Sequence, residues 1–142
     1  MPAPLAGGCL CGAIRYTVSV PITELRMCHC RDCQKSTGTA GSVNAMIRSD
    51  TIRITQGTPK RYTVTADSGR TLHRFFCGEC GSPLFSRREL TPENTGLRIG
   101  TLDDSSGMKI TANIWTSSAR FWVYIDPASQ QFLGQSDALT KR

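Results

Sequence analysis

The stretch "CLCGAIRYTVSV", residues 9–20, carries two signals side by side. Its first half is a thiol turn: Cys9 and Cys11 flank one residue, and Gly12 follows. Its second half alternates. Ile14, Tyr16, Val18 and Val20 fall on one face with polar residues between them, the period-two pattern of a half-buried strand. A strand leaving a pair of cysteines points to a β protein with metal or thiol chemistry at its edge.

The rest of the chain repeats the strand pattern. "SVNAMIRS" (42–49) and "TIRIT" (51–55) read as two strands broken at Ser49-Asp50. "RYTVTA" (61–66) follows the turn signal "QGTPK", and "RTLHRFFC" (70–77) runs into a second cysteine pair. "SPLFSR", "GLRIGTL", "MKITANIW" and "FWVYI" complete the set. In "FWVYI", Phe121, Val123 and Ile125 oppose Trp122 and Tyr124, which reads as a strand buried on both faces, with exposed aromatics at a dimer face as the alternative. Short strands with turn signals every 8–12 residues predict an all-β fold. Helix signals are thin: one short turn in "CRDCQKSTG" (30–38) and one in "RRELTPENTG" (87–96).

The chain has 142 residues, which suits a single domain over 1–142, with a core over about 7–126 and a polar tail, "GQSDALTKR". No apolar run reaches a membrane span. The start, "MPAPLAGGCL", has neither basic region nor apolar core, so no signal peptide is read and the cytoplasm is the expected location. Thiols stay reduced there. The cysteines number seven, so internal disulfides cannot pair them all, and metal ligands or reactive thiols are the better reading. The formal charge is +6, which suits anionic partners; seven thiolates holding two Zn²⁺ would bring it to +3.

"CLCG" (Cys9, Cys11) and "CGECG" (Cys77, Cys80) match: each is a tight thiol turn with glycine after its second cysteine. Together they make a closed tetrahedral Cys₄ zinc site of the structural kind. Its two halves are far apart in sequence, so it clasps the first strand to a distant hairpin. That leaves Cys28, Cys30 and Cys33 in "CHCRDC" (28–33). A C-x-C-x₂-C loop can hold zinc by three thiolates and leave a fourth position for water or substrate, as catalytic zinc sites do. Other readings stand beside this one: a second structural zinc closed by His29, His73 or Asp32, a redox thiol cluster, or a different partition of the cysteines. His29 lies between two ligands, with its side chain expected to point away. His73 sits in a strand pattern and reads as structural or exposed.

Four stretches, "GGCLCGAIRY", "CHCRDCQKSTG", "FFCGECGSPLF" and "GTLDD", occur in this order, with "SSARFWVYID" after them. In these the chain resembles the glutathione-dependent formaldehyde-activating enzyme family, which includes centromere protein V, over residues 7–126. The resemblance implies a β-tent of antiparallel sheets organised around zinc. It implies a structural zinc on Cys9, Cys11, Cys77 and Cys80, and a catalytic zinc on Cys28, Cys30 and Cys33. It also implies a carbon–sulfur lyase that adds glutathione to formaldehyde. The chain departs from the family in looking shorter than the founding enzymes. It also carries Asn113 where many members have a histidine.

The expected activity is therefore zinc-dependent carbon–sulfur lyase chemistry on a small thiol such as glutathione and a small carbonyl such as formaldehyde. Arg31 and Lys35 are the nearest cations to receive the thiol's carboxylates, and Ser36, Thr37 and Gly38 form a polar turn beside them. Two alternatives remain: a non-catalytic zinc module for nucleic acid or protein, and a thiol redox sensor. Nucleic acid is not the expected partner, because the basic residues are dispersed and no stacking or groove-reading motif is visible. No membrane is expected, and the sequence does not fix the oligomeric state.

Overall fold

The computed structural model describes residues 4–66 and 69–135. These form strands β1 (Leu5–Gly8), β2 (Arg15–Val18), β3 (Glu24–Cys28), β4 (Ser42–Arg48), β5 (Ile52–Gln56), β6 (Lys60–Thr65), β7 (Thr71–Phe76), β8 (Pro83–Arg88), β9 (Asn94–Arg98), β10 (Lys109–Ile114) and β11 (Gln130–Gln131). One helix, α1 (Arg31–Thr37), interrupts them, and short 3₁₀ turns join some of the strands. The all-β expectation holds.

The strands make two sheets. A small one has the order β1-β2-β5, and a large one runs β11-β10-β3-β4-β9-β8-β7-β6. Most neighbours are antiparallel, but β10 pairs in parallel with both β3 and β11. Ser49–Thr51 is the 3₁₀ turn that breaks β4 from β5 and sends the chain from the large sheet to the small one.

Alternation along the large sheet gives it two unlike faces. One rung reads Ala45, Leu97, Phe85, Phe75 across β4, β9, β8 and β7. This face joins Ile14, Tyr16 and Val18 of the first alternating stretch in one core cluster. Phe75 and Phe85 stack at 4.7 Å. Each fully buried side chain of that size contributes roughly 1.5–3 kcal/mol. The adjacent rungs on the other face are polar. One reads Arg26, Asn44, Arg98, and the next Met46, Gly96, Ser86, Arg74.

"FWVYI" does not form a strand. The segment has no ladder partner and turns locally, with the Val123 amide donating to the Arg120 carbonyl at 3.3 Å. Phe121, Trp122 and Tyr124 are exposed, so the expectation of a strand buried on both faces is corrected. Pairing decides strands, and the place beside β10 is taken by β11 instead. Packed residues extend past this segment: Phe132 is buried against Cys28, Cys33 and Ile114. Of the polar tail, only Gly134 and Gln135 lie within the described residues.

Candidate metal and substrate site

Cys9 and Cys11 leave β1, and Cys77 and Cys80 stand in the turn between β7 and β8. Their four Sγ atoms all lie within 4.8 Å of one another. Both turns need their glycine: Gly12 has φ 81° and Gly81 φ 80°, where side chains are strained. Backbone amides point at sulfur, Ile14 N to Cys9 Sγ at 3.2 Å and Glu79 N to Cys77 Sγ at 3.4 Å. Ser82 hydroxyl and backbone hydrogen bonds hold the Cys80 thiol down to about 5. Sulfurs about 2.3 Å from a central tetrahedral ion stand roughly 3.8 Å apart. Cys9 and Cys11 are separated by 3.7 Å and Cys11 and Cys77 by 3.8 Å, so the donor set fits such an ion.

The second cluster is built where β3 passes into α1. Cys28 ends β3, Cys30 is the helix N-cap, and Cys33 lies in the first turn. The three Sγ atoms again lie within 4.8 Å of one another. Cys30 Sγ accepts from the Cys33 amide at 3.3 Å, so the cap that starts the helix also fixes the thiol. Gly38, at φ 70°, ends the helix. Gly41 lies against the loop: a Cβ there would sit 2.2 Å from the Cys28 carbonyl oxygen.

A polar relay supports Cys33. Arginine can only donate, so Arg98 fixes Asn44 Oδ1 as the acceptor. Asn44 Nδ2 then donates to Ser42 Oγ at 3.0 Å, and the Ser42 hydroxyl donates to Cys33 Sγ at 3.1 Å. All of these side chains are buried. Hydrogen bonds from Cys28 and Cys30, then from Ser42, hold the Cys33 thiol well below the ordinary range, and the Arg98 charge adds to this. Cys28 is pushed the other way by Cys30, Cys33 and burial.

His29 is fully buried and turned away from the three sulfurs, as expected from its position. Its Nε2 lies 3.0 Å from Asn113 Oδ1, whose Nδ2 donates to Ser129 Oγ at 2.8 Å. Asn113 is thus the side-chain partner of His29. His73 stays on β7 with Thr63 and Glu89, outside both clusters.

The three-cysteine cluster opens into a pocket of about 540 Å³. The polar face of the large sheet is its floor. Its walls hold six arginines, Arg26, Arg31, Arg70, Arg74, Arg88 and Arg98, and among the described residues a single acid, Asp32. Arg31 lines it as expected; Lys35 does not. Sequence reading missed the other five, because they come from separate strands and loops. The lateral rungs Arg26–Asn44–Arg98 and Ser86–Arg74 assemble three of them. Trp115 closes one side with φ 56°, the one non-glycine residue in the left-handed region among those described, a strain that clusters at functional sites.

Fold and site define a β protein with one closed set of four thiols and one open set of three beside a cationic pocket. The family model for the glutathione-dependent formaldehyde-activating enzyme matches residues 4–118, and the chain belongs to this family. Proteins provisionally named glutathione-dependent formaldehyde-activating enzymes are similar to it. One from Aspergillus flavus is 28% identical over 103 residues, covering 70% of this chain and 53% of its own. One from Penicillium rubens is 29% identical over 89 residues, covering 59% and 46%. The chain therefore spans about half the length of these relatives. A crystal structure of a Rhodobacter sphaeroides protein shares the fold with a TM-score of 0.59 at 23% identity, covering 72% of this chain and 91% of that one. No helix among the described residues is long and apolar enough to cross a membrane.

Proposed function

We propose that the chain is a cytoplasmic zinc-dependent carbon–sulfur lyase that joins a small thiol such as glutathione to a small carbonyl such as formaldehyde. Cys9, Cys11, Cys77 and Cys80 would hold a structural zinc, and Cys28, Cys30 and Cys33 a catalytic one. Zinc on three thiolates supplies an open position where a substrate thiol is kept as thiolate at neutral pH. The observation that carries the reading is that three clustered sulfurs line the same pocket as the arginines.

The chain's own residues do the rest. The arginines receive the thiol's carboxylates and orient it with its sulfur toward the cluster. The relay from Arg98 through Asn44 and Ser42 holds Cys33 in place. The substrate sulfur then attacks the carbonyl carbon. A C–S bond forms, the carbonyl π pair moves to oxygen, and that oxygen takes a proton from water. The reverse path releases the aldehyde. Arginines in a concave pocket favour a small anion over the convex, extended backbone of a nucleic acid.

A native mass spectrum tests this directly. Two zincs per chain and one glutathione adduct that disappears in Cys30→Ser are expected. ¹³C-formaldehyde followed by NMR should then show a hydroxymethyl thioether forming only with both thiol and protein at catalytic rate. One zinc and no adduct would remove the lyase assignment.

A further inference from the structure

The pocket carries more positive charge than the two carboxylates of glutathione can use. At neutral pH glutathione carries two carboxylates but also an ammonium group. The described lining offers that ammonium one carboxylate, Asp32, which is next in sequence to Arg31. Four of the arginines are held by neutral oxygens. Arg31 donates to Gln34 Oε1, Arg70 to Gln135 Oε1 at 3.3 Å, and Arg74 to Ser36 Oγ at 3.1 Å. Arg98 donates to Asn44 Oδ1 and to Ser86 Oγ. None of these four is in an ion pair among the described residues. The contacts fix the guanidiniums without cancelling their charge, the arrangement of a site awaiting a concentrated anion.

The floor adds a shape argument. Between Arg98 and Arg74 the sheet presents Gly96 and Ser86, with Met46 on the other side of Gly96. A Cβ on Gly96 would stand 3.3 Å from Ser86 Oγ and 3.9 Å from an Arg98 nitrogen. The space kept open there lies between cations on β9 and β7, across the intervening β8. A phosphate monoester concentrates about −1.5 to −2 charge on a group with three acceptor oxygens, so several guanidiniums can share it. A carboxylate offers one charge and two oxygens.

We infer that the preferred substrate is a thiol with a phosphorylated, cation-free polar end, its sulfur at the Cys28–Cys30–Cys33 cluster and its phosphate among Arg70, Arg74 and Arg98. The inference rests on the proposed function for the position of the sulfur, and goes beyond it in the identity of the thiol.

The test uses the full chain loaded with Co²⁺, whose thiolate charge-transfer band reports thiol ligation, and three probes: glutathione, pantetheine and 4′-phosphopantetheine. Phosphopantetheine should perturb the band at a concentration at least about tenfold lower than pantetheine, and lower than glutathione. Arg74→Gln should cut the phosphate advantage several-fold while leaving the thiol-free cobalt spectrum unchanged; Arg70→Gln serves as a second variant. Raising salt should shrink the advantage. If glutathione ligates but phosphopantetheine has no advantage over pantetheine, the inference falls and the proposed function stands. If neither arginine variant changes the ratio, the phosphate is not bound where the inference puts it, and the inference falls. If no thiol perturbs the band, both fall.

Discussion

Ser42 donates its hydroxyl hydrogen to Cys33 Sγ across 3.1 Å, and accepts in turn from Asn44, which Arg98 orients. Asn44 occupies one lone pair of that hydroxyl, and its hydrogen is directed at the sulfur. The relay therefore favours the thiolate form, the form a metal needs. Ser42→Ala should weaken zinc binding at the three-cysteine cluster by about tenfold, the lower end of what losing an outer partner costs a metal site. Competition with a chromophoric chelator measures it. Unchanged affinity would mean that the relay serves the sheet and not the sulfur.

The two cysteine clusters should fail differently. Cys77 is buried within the main core cluster, whereas Cys28 and Cys33 pack with Ile114 and Phe132 in a separate one. Cys77→Ser should abolish cooperative thermal unfolding, because the clasp ties the β1–β2 connection to the β7–β8 turn. Cys30→Ser should keep one zinc and most of the melting temperature. Native mass spectra and melts of both variants decide the matter, and the reverse pattern would exchange the structural and open roles.

Gly41→Ala should disturb the loop without replacing a ligand. Its Cβ would lie 2.2 Å from the Cys28 carbonyl oxygen and 3.3 Å from His29 Cα, both backbone atoms that cannot swing aside. Relief requires β3 and β4 to separate at their Cys28–Ser42 pair. A loss of about 1–3 kcal/mol is expected, as for other overpacked sites, with reduced occupancy of the three-cysteine cluster. Wild-type stability in urea titration would show that the close approach is not needed.

The thiol turns were legible in sequence because their geometry is local: a glycine after the second cysteine fixes each turn whatever surrounds it. The alternation of Ile14, Tyr16 and Val18 was legible for the same reason, and it survives as β2 and its buried flank. β3 was missed because "ELRMC" lacks clean alternation: Leu25 joins the core, Cys28 ends at the site, and Arg26 faces the pocket. β1 was missed because "LAGG" has little side chain to read. Gly7 is required there, since a Cβ would fall 2.4 Å from the Tyr16 hydroxyl oxygen. "FWVYI" misled by composition, since aromatic and β-branched residues satisfy strand preference without supplying a partner strand. Beyond Arg31, the arginine pocket could not be read. It depends on register, which sets Arg26 and Arg98 on either side of Asn44 and Arg74 opposite Ser86.

Arg15 meets Asp103 at 2.5 Å, tying β2 to the loop after β9. The hydrogen bond from Arg15 holds the Asp103 carboxyl below its ordinary value. A carboxyl depressed by folding stabilises the protein fully above its unfolded value, about 3.9, and loses that contribution as pH falls through its folded value. Asp103→Asn should therefore lower the melting temperature slightly and by the same amount at pH 7 and pH 5, with the gap narrowing only below about pH 4. Both side chains are over a third exposed, so molar salt should narrow the gap too. A gap already closed at pH 5 would mean that the carboxyl is not depressed.

The two tryptophans offer an internal control on where ligand binds. Trp115 lines the pocket and donates from Nε1 to Gln135 Oε1 at 3.2 Å, while Trp122 stands exposed on the segment that turns away. A thiol entering the pocket displaces water from the Trp115 ring and competes for Gln135, which also accepts from Arg70. Its emission should shift as the site fills, and that of Trp122 should not. With the zinc-loaded protein, the thiol-dependent change should persist in Trp122→Phe and vanish in Trp115→Phe. Binding of glutathione in Trp115→Phe, measured by calorimetry, separates loss of the reporter from loss of the site. A change that follows Trp122 instead would place the thiol on the aromatic segment and away from the three cysteines.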